Sequence, residues 1–288
     1  MIEVLLAYEP STRIAAFAGV FAVMALWELR WPKRQLSLGR RRRWPGNLGV
    51  VALDSLVVRV LFPTAAVGVA IACEAHGWGL FNWLALPKGV AILVSVLVLD
   101  LAIYLQHVLF HAVPVLWRLH RMHHADLDID VTTGVRFHPI EIVFSILIKF
   151  VVVAAIGAPA LAVLVFEVLL NATSMFNHSN ARMPAPVDAL VRWLVVTPDM
   201  HRVHHSIIRA ETDSNFGFNF PWWDRLFGTY RAEPAEGHRG MTIGIATFRD
   251  PAELRLDRML TQPFRSDKGV RPLASTTADK TAPRSRGV

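Results

Sequence analysis

The tightest constraint on this chain is a series of apolar stretches long enough, or nearly so, to cross a bilayer as helices. They cover residues 14–29, 48–73, 90–110 and 142–170. A helix needs about 20 apolar residues to span the hydrocarbon core. In lipid every backbone polar group must be satisfied within the segment, which leaves helices or closed barrels. The second stretch carries Asp54 and Arg59, and the third carries Asp100. The fourth is too long for one straight crossing, and Gly157-Ala158-Pro159 breaks it near the middle, as in a helical hairpin. No small-residue cleavage site follows the first stretch, so a retained helix is expected rather than a signal peptide. With 53% hydrophobic residues and a mean hydropathy of +0.37, the composition agrees. The expected fold class is all-α: a multi-pass membrane helical bundle of about four spans or hairpin equivalents, with a cytoplasmic helical histidine-rich cap.

Charge sets the orientation. Arg30, Lys33, Arg34 and the run Arg40, Arg41, Arg42 and Arg43 lie between the first two spans. From Glu74 to Lys88, between the second and third, Lys88 is the only Lys or Arg. The positive-inside rule therefore places the first loop in the cytoplasm. The net charge of +7 and pI near 10.2 are explained by basic loops that fix topology and meet anionic headgroups, and nucleic acid is not an expected partner. The single cysteine, Cys73, excludes an intrachain disulfide and any cysteine-built metal cluster, and is expected to serve packing. The tail from about Gln262 has the composition of a disordered segment.

Three histidine clusters follow the third span inward. They read HVLFH (His107, His111), HRMHH (His120, His123, His124) and HRVHH (His201, His204, His205). On a helix, positions i, i+3 and i+4 share a face, so each cluster can aim at least two imidazoles at one point. Imidazole suits iron, copper, zinc and nickel. A lone pair at this spacing is more often incidental, but three clusters with a repeated H-x-x-H-H are not. Eight histidines exceed the needs of one metal, and the expected site is dinuclear. The topology brings all three clusters to one membrane face. His138, in the sequence 136–141 (RFHPIE), and His178, in 177–180 (NHSN), are further candidates as ligands, as partners that fix an imidazole tautomer, or as interfacial residues. His76 and His238 fit no cluster and are expected at the surface.

Neighbouring residues extend the pattern. Asp100, Tyr104, His107 and His111 share one helical face, and an aspartate in an apolar span needs a partner or a function. Thr197-Pro198-Asp199 reads as a helix start, with Thr197 as N-cap, which puts the last box on a short helix. Asp100, Tyr104 and Asp199 are candidates to support the metal ligands. The aromatic-rich segment 215–230 reads first as a membrane-interface belt, with a roof over the site or a lipid entrance as the other possibility.

In this order, the boxes resemble those of the fatty acid hydroxylase/sterol desaturase superfamily. The likeness extends to 133–141 (TGVRFHPIE), 177–179 (NHS), 196–198 (VTP), 213–217 (DSNFG) and 223–230 (WDRLFGTY), covering roughly residues 100–230. The resemblance implies an integral-membrane non-haem di-iron enzyme that uses O2 to hydroxylate or desaturate a lipid. It carries over the eight box histidines as ligands of two iron ions, with His178 joining them and His138 a further candidate. No separate general acid or base is assigned. No cytochrome-like domain is fused in this sequence, so a separate electron-donor protein is expected. The corresponding organisation is 1–89 for the N-terminal spans and basic loop, 90–232 for the catalytic domain, and 233–288 for a cytoplasmic C-terminal region. Two rival readings use the same residues. A zinc-dependent lipid hydrolase would need a carboxylate base beside the ligands, which neither H-x-x-H-H box contains. A metal transporter would need polar residues through several spans.

Overall fold

The apolar stretches form helices whose ends are set by proline, glycine and tryptophan. The structure, a computed structural model, describes residues 8–266. Helix α1 (Glu9–Arg30) opens with a proline in its first turn and stops before Trp31-Pro32. Helix α2 (Arg40–Leu61) and α3 (Ala65–His76) divide the stretch read from sequence as one span. Pro63 lies between them and supplies the physical reason, since it cannot continue the α2 hydrogen-bond ladder. Helix α4 (Lys88–Ala112) is about 37 Å long at 1.5 Å per residue. Val113 then breaks the helix, and α5 (Pro114–His124) restarts it with proline in the first turn.

The expected hairpin is present as α6 (Pro139–Ile156) and α7 (Ala160–Asn177). Gly157 closes α6 in the left-handed region at φ 67°. A Cβ there would lie 2.6 Å from the Trp78 carbonyl oxygen, so only glycine fits both the conformation and the contact. The short helix α8 (Pro198–His204) begins as its sequence indicates, with the Thr197 side chain accepting from the Met200 amide at 3.3 Å. Among the described residues there are no strands, only isolated bridges at Pro32–Ala181 and Ser206–Ile243.

Among the described residues, five segments are long and apolar enough to cross a membrane: Glu9–Arg30, Arg40–Trp83, Lys88–Ala112, Pro139–Ile156 and Ala160–Asn177. Helix α7 is the most buried of these and packs against α1, α3, α4 and α8. Its core contacts are Val163, Leu164 and Phe166 with Leu99, Ile103 and Val153. The segment after α7 returns to the α1–α2 loop, where the Lys33 amide donates to the Asn180 carbonyl at 2.7 Å. The 77–79 and 157–159 turns meet at the other end of the bundle. All three histidine boxes therefore share the end that holds the basic loop.

Two expectations about charge and order need correction. Arg43 is not a headgroup contact: it is fully buried, holding Asp126 through Nε (2.8 Å) and Nη2 (2.7 Å) and also Asp130. The disordered tail does not start at Gln262. Gln262 and Pro263 are buried in a short 3-10 turn, and Arg121 donates to the Gln262 carbonyl at 2.5 Å. The remainder of that expectation falls on 267–288, outside the described residues. Cys73 is buried, as its packing role requires.

Candidate metal centre

Nine buried histidines converge, and helical spacing sorts them into two groups. The first comprises His107 and His111 from α4, His120 and His124 from α5, and His204 from α8. The second comprises His123 from α5, His178 at the end of α7, and His201 and His205 at α8. Within each group the candidate donor atoms lie within 4.8 Å of one another. Each H-x-x-H-H box is split between the groups, in opposite senses. In the second box the i, i+4 pair His120 and His124 serves the first group and His123 the second. In the third box the i, i+4 pair His201 and His205 serves the second group and His204 the first. The groups adjoin through His124 and His205, whose rings stack at 4.6 Å.

Hydrogen bonds fix the tautomers. Nδ1 of His107 contacts the Phe216 carbonyl (2.8 Å), that of His123 the Arg136 carbonyl (3.1 Å), that of His178 the Ser174 carbonyl (2.7 Å) and that of His204 the Ser214 carbonyl (2.7 Å). A carbonyl only accepts, so these Nδ1 atoms carry the hydrogen and Nε2 presents a lone pair. His120 Nδ1 lies 2.7 Å from Glu141 Oε1, and His111 Nδ1 lies 3.3 Å from Asp213 Oδ1.

The Nε2 atoms then face one another. His107 and His120 approach at 3.1 Å, His111 and His124 at 3.1 Å, His123 and His178 at 3.1 Å, and His178 and His201 at 3.0 Å. In the His107–His120 and His123–His178 pairs both Nδ1 atoms are engaged, so two lone pairs meet at 3.1 Å and repel unless a cation lies between them. Nitrogens at right angles about 2.1 Å from one ion stand about 3.0 Å apart, so the spacing fits a shared metal. His204 Nε2 and both ring nitrogens of His205 are buried without a hydrogen-bond partner, which leaves one lone-pair nitrogen of each ring free for a metal. Burial lowers the pKa of His120 and His178 to about 3. It also holds His123, His124, His201, His204 and His205 well below the ordinary histidine range, with neighbouring imidazoles adding to the effect. These rings are therefore neutral at physiological pH, the form that binds metal.

Aromatic side chains wall the centre. Phe137 stacks on His123 at 4.5 Å, Phe216 lies against His107, His111 and His204, and Phe218 lies against His107, His178 and His201. The 215–230 segment thus divides: Phe216 and Phe218 are buried at the histidines, whereas Trp222 and Phe227 remain exposed and suit a belt.

The other predicted residues are placed as follows. His138 lies outside both groups. It caps α6 by accepting from the Ile140 amide at 3.2 Å, and its Nε2 lies 3.3 Å from the Leu260 carbonyl. Asp100 makes the inter-element contact, accepting from Trp223 Nε1 at 2.8 Å and from the Asn219 amide at 3.3 Å. Tyr104 bonds Thr229 Oγ1 at 2.9 Å. Asp199 pairs with Lys33 and with Arg202. Asp100 and Tyr104 thus tie α4 to the 219–229 segment, Asp199 ties α8 to the α1–α2 loop, and none of the three contacts an imidazole of either group. His76 is exposed at the far end of α3, but His238 is buried rather than superficial, 2.8 Å from a Glu233 carboxylate oxygen.

Sequence reasoning missed the carboxylates that do reach the imidazoles, Glu141 and Asp213. It also missed the rack behind the second box. Asp126, Asp128 and Asp130 alternate along the chain and bind Arg43, Asn47, Ser37, Leu38 and Trp44. The signals were present as a glutamate one turn into a span and as three aspartates at a spacing of two.

With this geometry in place, the comparisons with known proteins are specific. Residues 92–229, which hold all nine converging histidines, match the fatty acid hydroxylase family. That stretch is similar to fatty acid hydroxylases, the superfamily that also holds the relatives described next. It is 30% identical over 227 residues to an ornithine lipid hydroxylase, OlsE, of Rhizobium tropici, covering 76% of this chain and 65% of the relative. An alkylglycerol monooxygenase of Xenopus tropicalis is 27% identical over 217 residues, covering 73% and 46%. The human cholesterol 25-hydroxylase is 28% identical over 144 residues, covering 49% and 51%. The chain therefore spans less than two thirds of the length of these relatives. No solved structure matches it significantly.

Proposed function

We propose that this chain is an O2-dependent, non-haem di-iron membrane oxidoreductase that hydroxylates or desaturates a lipid. The observation that carries the reading is the pairing of lone-pair nitrogens at 3.1 Å in each histidine group, His107 with His120 and His123 with His178. In this reading His107, His111, His120, His124 and His204 hold one iron, and His123, His178, His201 and His205 hold the other. His138 keeps its capping role. Bound iron supplies the redox capacity needed to use O2 against an unactivated C–H bond. Hydroxylation consumes one O2, two electrons and two protons, and releases water, so the reading includes an electron donor, which we propose is a separate protein. The names of the three relatives, all lipid hydroxylases or monooxygenases, support a lipid substrate.

The chain's own residues have three tasks. The backbone carbonyls and Glu141 hold the rings in the tautomer that presents Nε2. Phe137, Phe216 and Phe218 keep water from the centre. A cavity of about 390 Å³, walled in part by His107, His120, Phe110, Phe137 and Phe218, brings the substrate to the first group. Because the basic α1–α2 loop packs at the histidine end, the positive-inside rule assigns that end to the cytoplasm, where a soluble donor can reach it.

Elemental analysis and Mössbauer spectroscopy on the detergent-purified protein test the reading, with His204→Ala alongside. About two irons per chain, reduced in number in the variant and oxidised by O2 after reduction, are expected. An iron-reconstituted protein with no O2-reactive centre would overturn the oxygenase reading in favour of a zinc hydrolase.

A further inference from the structure

The cavity beside the first histidine group is not lined as a tunnel for hydrocarbon alone. Its wall contains Arg13, Asp54, Gln106, Glu141 and Lys149 among apolar residues such as Phe17, Val58, Ile103 and Ile146. Exposed Ser55 and half-buried Val58 and Ile146 mark a side open toward the outer face of the spans. Polar groups within a span are expensive, so their partners indicate what the cavity is built to meet.

The cations are already matched. Arg13 pairs with Glu9 and with Glu167, and Lys149 donates to Glu167 at 2.7 Å. Two positive and two negative groups leave this cluster balanced. The carboxylates nearer the histidines have no such complement. Glu141 is 4% exposed; its Oε1 contacts the His120 ring, while Oε2 is buried without a partner. Asp54 is 8% exposed, and its Oδ1 is likewise buried and unpartnered. Gln106, beside His107, joins Ser145 at 3.1 Å through one amide atom and leaves the other buried and unpaired. Glu141 and Lys149 are eight residues apart on α6, about 12 Å along the axis, so the acceptor-rich part of the cavity is separate from the balanced cluster.

We propose that the cavity receives a lipid by a head group rich in hydrogen-bond donors, an ammonium or hydroxyls, seated between Asp54 and Glu141. Buried carboxyl oxygens are relieved by N–H or O–H donors and gain nothing from methylenes or esters. The carbon offered to the metal centre is then one close to the head group, not one in the middle or at the end of an alkyl chain. This rests on the proposed lipid oxidation and narrows its substrate class.

The test is equilibrium binding to the full-length, metal-loaded protein in detergent, read by native mass spectrometry. Three probes of equal chain length suffice: one with a primary ammonium head, one with a polyhydroxyl head, and a methyl ester. Either donor head should bind on the order of tenfold tighter than the ester or better, and the tighter of the two identifies the donor. Asp54→Asn and Asp54→Leu should erase most of that advantage for the ammonium head without weakening ester binding. Ester binding equal to both donor heads in the unmodified protein overturns the proposal, and so does selectivity that survives both variants. Iron content and O2 reactivity are measured on the same samples. Selective binding by a protein that holds no O2-reactive iron would support the head-group site and sink the oxidation reading. Loss of selectivity with an intact O2-reactive centre would do the reverse.

Discussion

At the scale of single residues, the centre depends on what lies behind each imidazole as much as on the imidazole itself. Glu141 Oε1, 2.7 Å from His120 Nδ1, fixes that ring behind a donor set that contains no carboxylate. Glu141→Ala should lower metal affinity 10- to 100-fold, the usual range for losing such a partner, as measured by competition with a chelator. Glu141→Gln should retain more of it, because an amide oxygen still accepts. Gly134 plays a steric part in the same design. Its Cβ position lies 2.4 Å from the Ser174 carbonyl oxygen, the atom that orients His178, and its own carbonyl accepts from Ser174 Oγ at 2.5 Å. Gly134→Ala must push that carbonyl away. The expected result is preferential loss of metal from the second group, seen as a fall toward one iron per chain by Mössbauer integration. A variant retaining both irons would show that α7 shifts without disturbing His178.

Between elements, the same features explain what the sequence disclosed. The convergence of the box histidines was legible because side chains at i, i+3 or i+4 share a helix face, and that of His178 through its NHS context. The Gly157 break and the Thr197 cap were equally local, and both are present. What stayed hidden is non-local. Nothing in HRMHH or HRVHH says that one member of each box crosses to the other group, because that is set by the angle between α5 and α8. Glu141 is 21 residues from His120, and Arg43 is 83 from Asp126. The arginine run looked like a surface charge cluster, yet one of its members is the buried clamp between α2 and the loop after the second box. Removing it leaves Asp126 and Asp130 buried without their cation. Arg43→Met should destabilise the protein by about 3–5 kcal/mol, as for breaking a buried ion pair from one side. The comparison variant Thr197→Ala removes only a helix cap and should cost about 1 kcal/mol. Thermal unfolding of the two in detergent should keep that order.

For the whole molecule, the arrangement couples membrane orientation to chemistry. The basic loop, the aspartate rack and all nine converging histidines occupy one end of the bundle, while the 77–79 and 157–159 turns meet at the other. The histidines come from α4, α5, α7 and α8, which are distant in sequence, so a metal bound among them ties four elements together. The His107–His120 and His123–His178 lone pairs repel when no cation is shared, so metal removal should loosen this end first. Ligand linkage gives the scale: a metal present at 100 times its dissociation constant adds about 2.7 kcal/mol. Chelation should therefore lower the unfolding temperature and raise hydrogen exchange in α5 and α8 before α3. Orientation is tested independently by single cysteines in a Cys73→Ser background, one at Ser37 in the basic loop and one at Trp83 in the opposite loop. In intact cells a membrane-impermeant thiol reagent should reach position 83 and spare position 37. The reverse pattern would place the histidine end outside, away from cytosolic electron donors, and the oxidation reading would then need a reductant from that side.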